Sequence, residues 1–357
     1  MRILFSNPNF STDQWDGARV HVTQVVHHLT EQGHEVWTLP LYRVERARIL
    51  PRAPIPKFQQ LRTMDACYLR IEGTAPCLSS FFRPPLRLLT RSIPLVWELN
   101  ATPELGFRGR ADQDLGMHEA KLAKLARDTA LAICNTQGLA QFAADLGVPA
   151  TLTVPLGSDP KLFRPDLIPD PTILREPGVL NVLWCGNAAV RWHDLECMLE
   201  AAAILDGRAP IRFFMVTKSL PVAGPLPKNL TVLPPRPYFS MPQLLTAMDV
   251  GLAIYTDESW SRYGTFSSPL KVFDYLASGL TLVGSPIEQI KKLHEECPGA
   301  VQLVPFAAPS VLAERLEMIA RHSGDRLTRN LQGRALVTTY YNWSRVATET
   351  AAAIGSL

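Results

Sequence analysis

The strongest constraint on this chain is a rhythm in its second half. Short apolar runs recur at Asn181–Cys185, Ile211–Val216, Leu230–Leu233, Val250–Tyr255, Leu280–Val283 and Val301–Val304. Helix-patterned stretches separate most of them, notably Asp194–Leu205, Met241–Met248, Pro269–Ser278 and Pro309–Arg321. Runs this short and this continuously apolar are strands covered on both faces. Strands alternating with helices pair in parallel, because the crossover helix brings each strand back in the same direction. The first half starts the same way. Arg2–Phe5 reads as a buried strand and Ser6 to Gly17 as a polar loop. Ala18, Val22, Val25, Val26 and Leu29 recur at helical spacing, Gly33 stops that helix, and Glu35–Leu39 reads as the next strand. The expectation is α/β, with two doubly wound, Rossmann-like parallel-sheet domains.

A chain of 357 residues holds two such domains comfortably. Three prolines within Pro165–Pro171 mark the boundary, which gives a first domain over residues 1–165 and a second from 166. No apolar run reaches the roughly 18–20 residues of a membrane-spanning helix. Met1 leads straight into strand-like sequence, with no leader pattern, so the expected location is the cytoplasm. The six cysteines (Cys67, Cys77, Cys134, Cys185, Cys197, Cys297) contain no C-x-x-C pair. They read as scattered thiols, with Cys134 and Cys185 inside apolar runs.

Net charge is only +3, but it is unevenly spread: residues 43–91 carry ten Arg/Lys against three acidic residues. Residues 81–91 interleave apolar and basic side chains. Two readings stand: a solvated basic face, and a patch that touches an anionic acceptor or the anionic inner face of a membrane. No nucleic-acid recognition motif accompanies it.

Two segments carry candidate chemistry. Asp16-Gly17-Ala18 opens the first helix, and glycine there lets backbone N–H groups approach an anion, although Asp-Gly also caps helices without any ligand. The second runs from Ser267 to Gly279, with proline near the start of a short helix and glycine just past its end. Leu270, Phe273 and Ala277 form its apolar stripe, while Lys271, Asp274 and Ser278 share another face. That face is read either as a solvated Lys–Asp pair or as a diphosphate and ribose contact.

The second segment, Ser268-Pro269-x-Lys271-x-Phe273-Asp274-Tyr275-Leu276-Ala277-x-Gly279, resembles the donor-site helix of glycosyltransferase family 4, the group-1 glycosyltransferases. Four further passages resemble that family in its order: Leu95 to Pro103 with Glu98-x-Asn100, Val154 to Asp159 with Phe163-Arg164-Pro165, Val182–Gly186 with Arg191, and Tyr341–Ser344. The matches follow one another in that order along almost the whole chain. The resemblance implies a GT-B fold whose last helix, within 341–357, crosses back to the first domain. It also implies a nucleotide-diphosphate sugar as co-substrate, a hydroxyl acceptor, and transfer of a hexosyl-type sugar with retention; no cofactor and no essential metal are expected. Donor contacts would come from Gly17, Arg191, Ser267, Ser268, Pro269, Lys271 and Asp274, the last replacing the family's ribose-binding glutamate. Arg191 and Lys271 would neutralise the leaving diphosphate, and Glu98 with Asn100 would handle the acceptor.

The chain departs from the family at Phe266, where many relatives have glutamate, and at His193, where a lysine is usual. His118 is a lone helical histidine, read as structural. Asp112-Gln113-Asp114 does not follow a strand and is read as surface rather than as a metal site. The acceptor class stays open among polysaccharide, lipid-linked and small-molecule hydroxyls, with a lean to surface polysaccharide. Two alternatives to transfer remain: a GT-B sugar-nucleotide epimerase, and a silent nucleotide-sugar-binding subunit. A Rossmann dehydrogenase does not fit, since no Gly-x-Gly-x-x-Gly follows a strand.

Overall fold

A computed structural model describes residues 1–6, 17–39, 63–71, 93–104, 112–190, 192–218, 224–257, 262–264, 268–322 and 326–357. The chain forms two units. The first comprises Met1–Leu156, Ser259–Ser268 and Trp343–Leu357; the second comprises Gly157–Glu258 and Pro269–Asn342. Residues 157–165, read from sequence with the first domain, therefore cluster with the second.

The first unit contains β1 (Arg2–Ser6), α1 (Gly17–Glu31), β2 (Glu35–Leu39), β3 (Ala66–Ile71), β4 (Leu95–Leu99), α2 (Asp112–Ala126), β5 (Thr129–Cys134), α3 (Gln137–Asp145) and β6 (Thr151–Thr153). Its strands form one parallel sheet in the order β2-β1-β3-β4-β5-β6. Strands β3 and β4 are buried along their whole length, the pattern of a sheet covered on both sides. Asp112-Gln113-Asp114 does not follow a strand directly but opens α2.

The second unit contains β7 (Leu180–Cys185), α4 (Leu195–Leu205), β8 (Ile211–Val216), β9 (Leu230–Leu233), α5 (Met241–Thr246), β10 (Val250–Ala253), α6 (Leu270–Ala277), β11 (Thr281–Gly284), α7 (Glu288–Glu296), β12 (Val301–Leu303), α8 (Pro309–Arg321) and α9 (Arg326–Tyr340). Its parallel sheet runs β12-β11-β10-β7-β8-β9. Relative to β7 as first strand this is the doubly wound order, and the direction of winding reverses between β7 and β10. A reversal of this kind leaves a crevice at the carboxyl ends of those two strands, because their following loops diverge. Asp194 caps α4 by accepting from the Cys197 amide at 3.1 Å.

The last helix, α10 (Trp343–Gly355), belongs to the first unit and packs on α1. Gln32 Nε2 donates to the Ser344 carbonyl at 2.8 Å and to Thr348 Oγ1 at 3.0 Å. The Trp343 ring lies 5.3 Å from the His21 imidazole. Among the described residues no helix is long and apolar enough to cross a membrane.

Candidate functional site

In the second unit the site is built on the reversal point. Trp184 and Cys185 end β7, Tyr255 lies just beyond β10, and α6 brings Lys271, Asp274 and Tyr275 to the same region. Strand β10 can hold α6 this closely because Gly251 has no side chain. A Cβ there would lie 2.2 Å from the Tyr275 ring. Tyr275 Oη then accepts from the Cys185 amide at 3.2 Å, fixing the end of β7.

Lys271 Nζ donates to the Cys185 carbonyl at 3.0 Å. It sits 4.7 Å from the Trp184 ring centre and 5.6 Å from that of Tyr255, so two aromatic faces help hold the cation. Burial lowers its pKa to about 8, which leaves it mostly protonated at neutral pH. Only one of its three donors is used by the described hydrogen bonds. His193 lies against Trp184 (ring centres 5.2 Å apart) and Tyr255 (5.4 Å). Burial, followed by the nearby Lys271 charge, drives its pKa down to about 2. The ring is neutral, so it does not replace the cation that a lysine would bring to this loop. Arg191 and Ser267 lie outside the described residues, as do Phe266 and the loop before Gly17.

Sequence pattern placed Lys271 and Asp274 on one face and left a solvated ion pair open as a reading. The structure overturns that alternative. Lys271 turns to the end of β7, while Asp274 is buried and its Oδ1 accepts from Ser158 Oγ at 2.6 Å. Burial raises the Asp274 pKa to about 8; the hydrogen bonds from Ser158 and Tyr238 and the neighbouring Asp159 charge modify that shift without reversing it. Ser158 is placed by a close backbone crossing. Its amide donates to the Tyr341 carbonyl at 2.9 Å, and a Cβ on Gly157 would lie 2.7 Å from that same oxygen. The two passages Val154–Asp159 and Tyr341–Ser344 thus meet at Gly157. Pro269 caps α6 in extended conformation and offers the first amides of the helix no side-chain hydrogen bond. Ser268 is buried and its Oγ has no hydrogen-bond partner among the described residues.

In the first unit Glu98 and Asn100 lie at the carboxyl end of β4, as read from sequence, within a buried polar network that sequence reasoning missed. Arg70 Nη1, on β3, is 2.8 Å from Glu98 Oε1 and 2.9 Å from His21 Nδ1. A guanidinium can only donate, so His21 Nδ1 accepts and the ring proton sits on Nε2, 2.8 Å from the same Glu98 oxygen. Asn100 Nδ2 adds a third, longer contact at 3.3 Å. Burial alone would raise the Glu98 pKa. His21 and Arg70 facing the carboxylate, with the hydrogen bonds from His21 and Asn100, hold it at about 2. Glu98 Oε2 is also buried and has no hydrogen-bond partner among the described residues. One carboxylate oxygen is therefore fixed three times over, while the other is buried and unbonded among the described residues. The signal in the sequence was Arg70 itself: a charge inside an otherwise apolar buried strand needs a partner. Gly17 begins α1 and is exposed; His118 is half-buried on α2.

The two sheets and their helices define the class: an α/β chain of two Rossmann-like units, the GT-B fold. Solved structures share it from end to end. HepE of Anabaena in complex with UDP-glucose superposes with a TM-score of 0.69 at 14% identity, covering 100% of both chains. The sucrose-phosphate synthase of Thermosynechococcus elongatus gives 0.68 at 16% identity, over 99% of this chain and 98% of that one. WaaG, a glycosyltransferase involved in lipopolysaccharide biosynthesis, gives 0.61 at 13% identity, over 97% and 98%. At these identities the likeness is one of fold. Compared as sequence, the chain matches no protein-family model and no curated protein.

Proposed function

We propose that this chain is a glycosyltransferase of the family-4 type, taking a hexosyl-type sugar from a nucleoside-diphosphate sugar and placing it on a hydroxyl acceptor. The observation that carries the reading is Lys271: a cation held between two aromatic rings at the winding reversal of the second sheet, with donors to spare, on the helix whose first amides have no side-chain cap. As the donor bond breaks, negative charge grows on the leaving diphosphate. A fixed ammonium and helix amides aimed at that oxygen stabilise it more in the transition state than in the ground state. HepE, with the same fold, has been solved with UDP-glucose and with UDP, which supports a nucleotide sugar as donor.

In this reading Lys271, the α6 amides, Ser267, Ser268, Pro269, Gly17 and Arg191 serve the diphosphate and sugar, and Asp274 serves the ribose. Donation by a ribose diol favours the ionised carboxylate, so nucleotide binding at neutral pH would displace the Asp274 proton. Glu98 takes a narrower role than general base. A carboxylate with a pKa near 2 is a weak proton acceptor; buried and bonded to Asn100 Nδ2, Glu98 would position Asn100 for the acceptor hydroxyl. Retention, independence of metal, and a polysaccharide acceptor made at the cytoplasmic face of the membrane complete the proposal. Residues 43–62 and 72–91, which would supply a membrane contact, lie outside the described residues.

The test is a thermal-shift screen with UDP, GDP, ADP and TDP, with and without Mg²⁺, followed by product analysis with the matching sugar nucleotide. At 100 times its Kd a diphosphate adds about 2.7 kcal/mol of stability, enough to read. One base should shift the melt without metal, and the effect should weaken in Asp274→Ala. No shift with any of the four defeats the donor site. Conversion of the sugar nucleotide into an epimer without acceptor defeats transfer.

A further inference from the structure

The last turn of α1 carries a second cluster, in the first unit and separate from the Glu98 network. His27 Nε2 lies 3.4 Å from Glu31 Oε1, and His28 Nδ1 lies 3.2 Å from Glu31 Oε2, so each carboxylate oxygen faces one imidazole. The two rings meet edge to face with centres 4.9 Å apart. One ligand atom from each of the three side chains falls within 4.8 Å of the others. Both described ion pairs of Glu31 are with these histidines, and neither is with lysine or arginine.

We propose that His27, His28 and Glu31 form a binding site for a divalent transition metal of the zinc class. Three features of the structure support this. Each imidazole nitrogen lies 3.2–3.4 Å from one oxygen of the same carboxylate, and the three ligand atoms lie within 4.8 Å of one another, close enough for small adjustments to bring them to the zinc bond lengths of about 2.0–2.2 Å. The donor set, two imidazoles and one carboxylate, suits zinc, cobalt, nickel or copper rather than magnesium or calcium, which take oxygen ligands. The cluster sits at the carboxyl end of a fifteen-residue helix, where the backbone dipole favours a cation. Three protein ligands leave the remaining coordination to water. The same turn is braced from outside by Gln32, whose amide reaches α10. A metal here would therefore fasten the end of α1 where α10 docks, without entering the sugar-transfer chemistry.

Zn²⁺ binding to the full chain, measured by titration calorimetry, tests the site in wild type, His27→Ala and Glu31→Gln. Both substituted side chains are partly exposed, at 31% and 48%, so the fold should survive, and circular dichroism of the metal-free variants checks it. Wild type should bind one equivalent. Each variant should lose at least about tenfold in affinity, the usual cost of disturbing a ligand set. Mg²⁺ should give no heat of binding. Co²⁺ in place of Zn²⁺ should show the visible bands of a low-symmetry site without a thiolate charge-transfer band, separating this site from the chain's cysteines. Absence of Zn²⁺ binding by wild type, binding undiminished in both variants, or a thiolate band would each overturn the assignment.

Discussion

Replacing Asp274 by asparagine separates the effect of the buried proton from that of the side chain's shape. Asparagine keeps an Oδ1 that can accept from Ser158 Oγ, and its amide takes the place of the protonated carboxyl oxygen. In the wild type the carboxyl titrates at about 8 in the folded chain, against the ordinary 3.8 once the chain unfolds. The folded state therefore binds more protons than the unfolded state between those values, and linkage makes stability fall as pH rises across that window. Each pKa unit corresponds to about 1.36 kcal/mol, so the wild type loses about 4 kcal/mol between pH 4 and pH 7 that the asparagine variant keeps. For a unit of this size about 1 kcal/mol moves the melting temperature by roughly 2–4 °C, so the variant should melt roughly 10 °C higher at pH 7. Near pH 4 the two should melt together. The assay is a series of thermal melts by circular dichroism from pH 4 to 9. Parallel curves for wild type and variant across that range would refute the reasoning, because they would show that Asp274 is solvated and ionised in the folded chain.

Three further outcomes follow from the geometry. Arg70→Met removes the cation from a buried pair and should cost about 3–5 kcal/mol in urea unfolding; a loss below about 1 kcal/mol would show that the Glu98 network is wet. Gly251→Ala drives a methyl group into the Tyr275 ring and should cost about 1–3 kcal/mol, while Gly116→Ala, with open space around it, should not. In an Asp274→Asn background, diphosphate affinity should decline as pH rises through about 8, because Lys271 loses its proton there. Lys271→Arg should remove that decline, and Lys271→Met should weaken binding about tenfold or more at pH 7; calorimetry reads all three.

Much of the second unit was legible in the sequence because its strands are isolated apolar runs bounded by polar or proline-rich turns. Strands β8 and β9 and helix α8 have the limits read from pattern, the other elements read there differ by one or two residues, and the charged helix α7 was not read. Strand β3 was missed because Arg70 interrupts its apolar run and charged residues, Asp65 and Glu72, flank it; α9 was missed because it is polar for most of its length and carries Gly333 inside. The site was legible as a set of residues but not as an arrangement. Local pattern put Lys271 and Asp274 together, whereas their actual partners come from distant sequence. Cys185 is 86 positions from Lys271, and Ser158 is 116 positions from Asp274. Helical periodicity reports which residues share a face; it does not report what the rest of the chain lays over that face. His21 escaped notice for the same reason, since its partners Arg70 and Glu98 are supplied by two later strands.

The return of α10 to α1 has a consequence for how the protein is made. Residues 343–357 are synthesised after the whole of residues 157–342, yet they cover α1, bring Trp343 against His21, and place Gly355 beside Met1. During translation the second unit can emerge, collapse and pack while the first still lacks one of its covering helices. The half that leaves the ribosome first is the half that finishes folding last. In the meantime it exposes the apolar surface of α1 that Trp343, Val346, Ala347 and Ile354 will bury, which makes this surface the natural target for chaperones in the newborn chain.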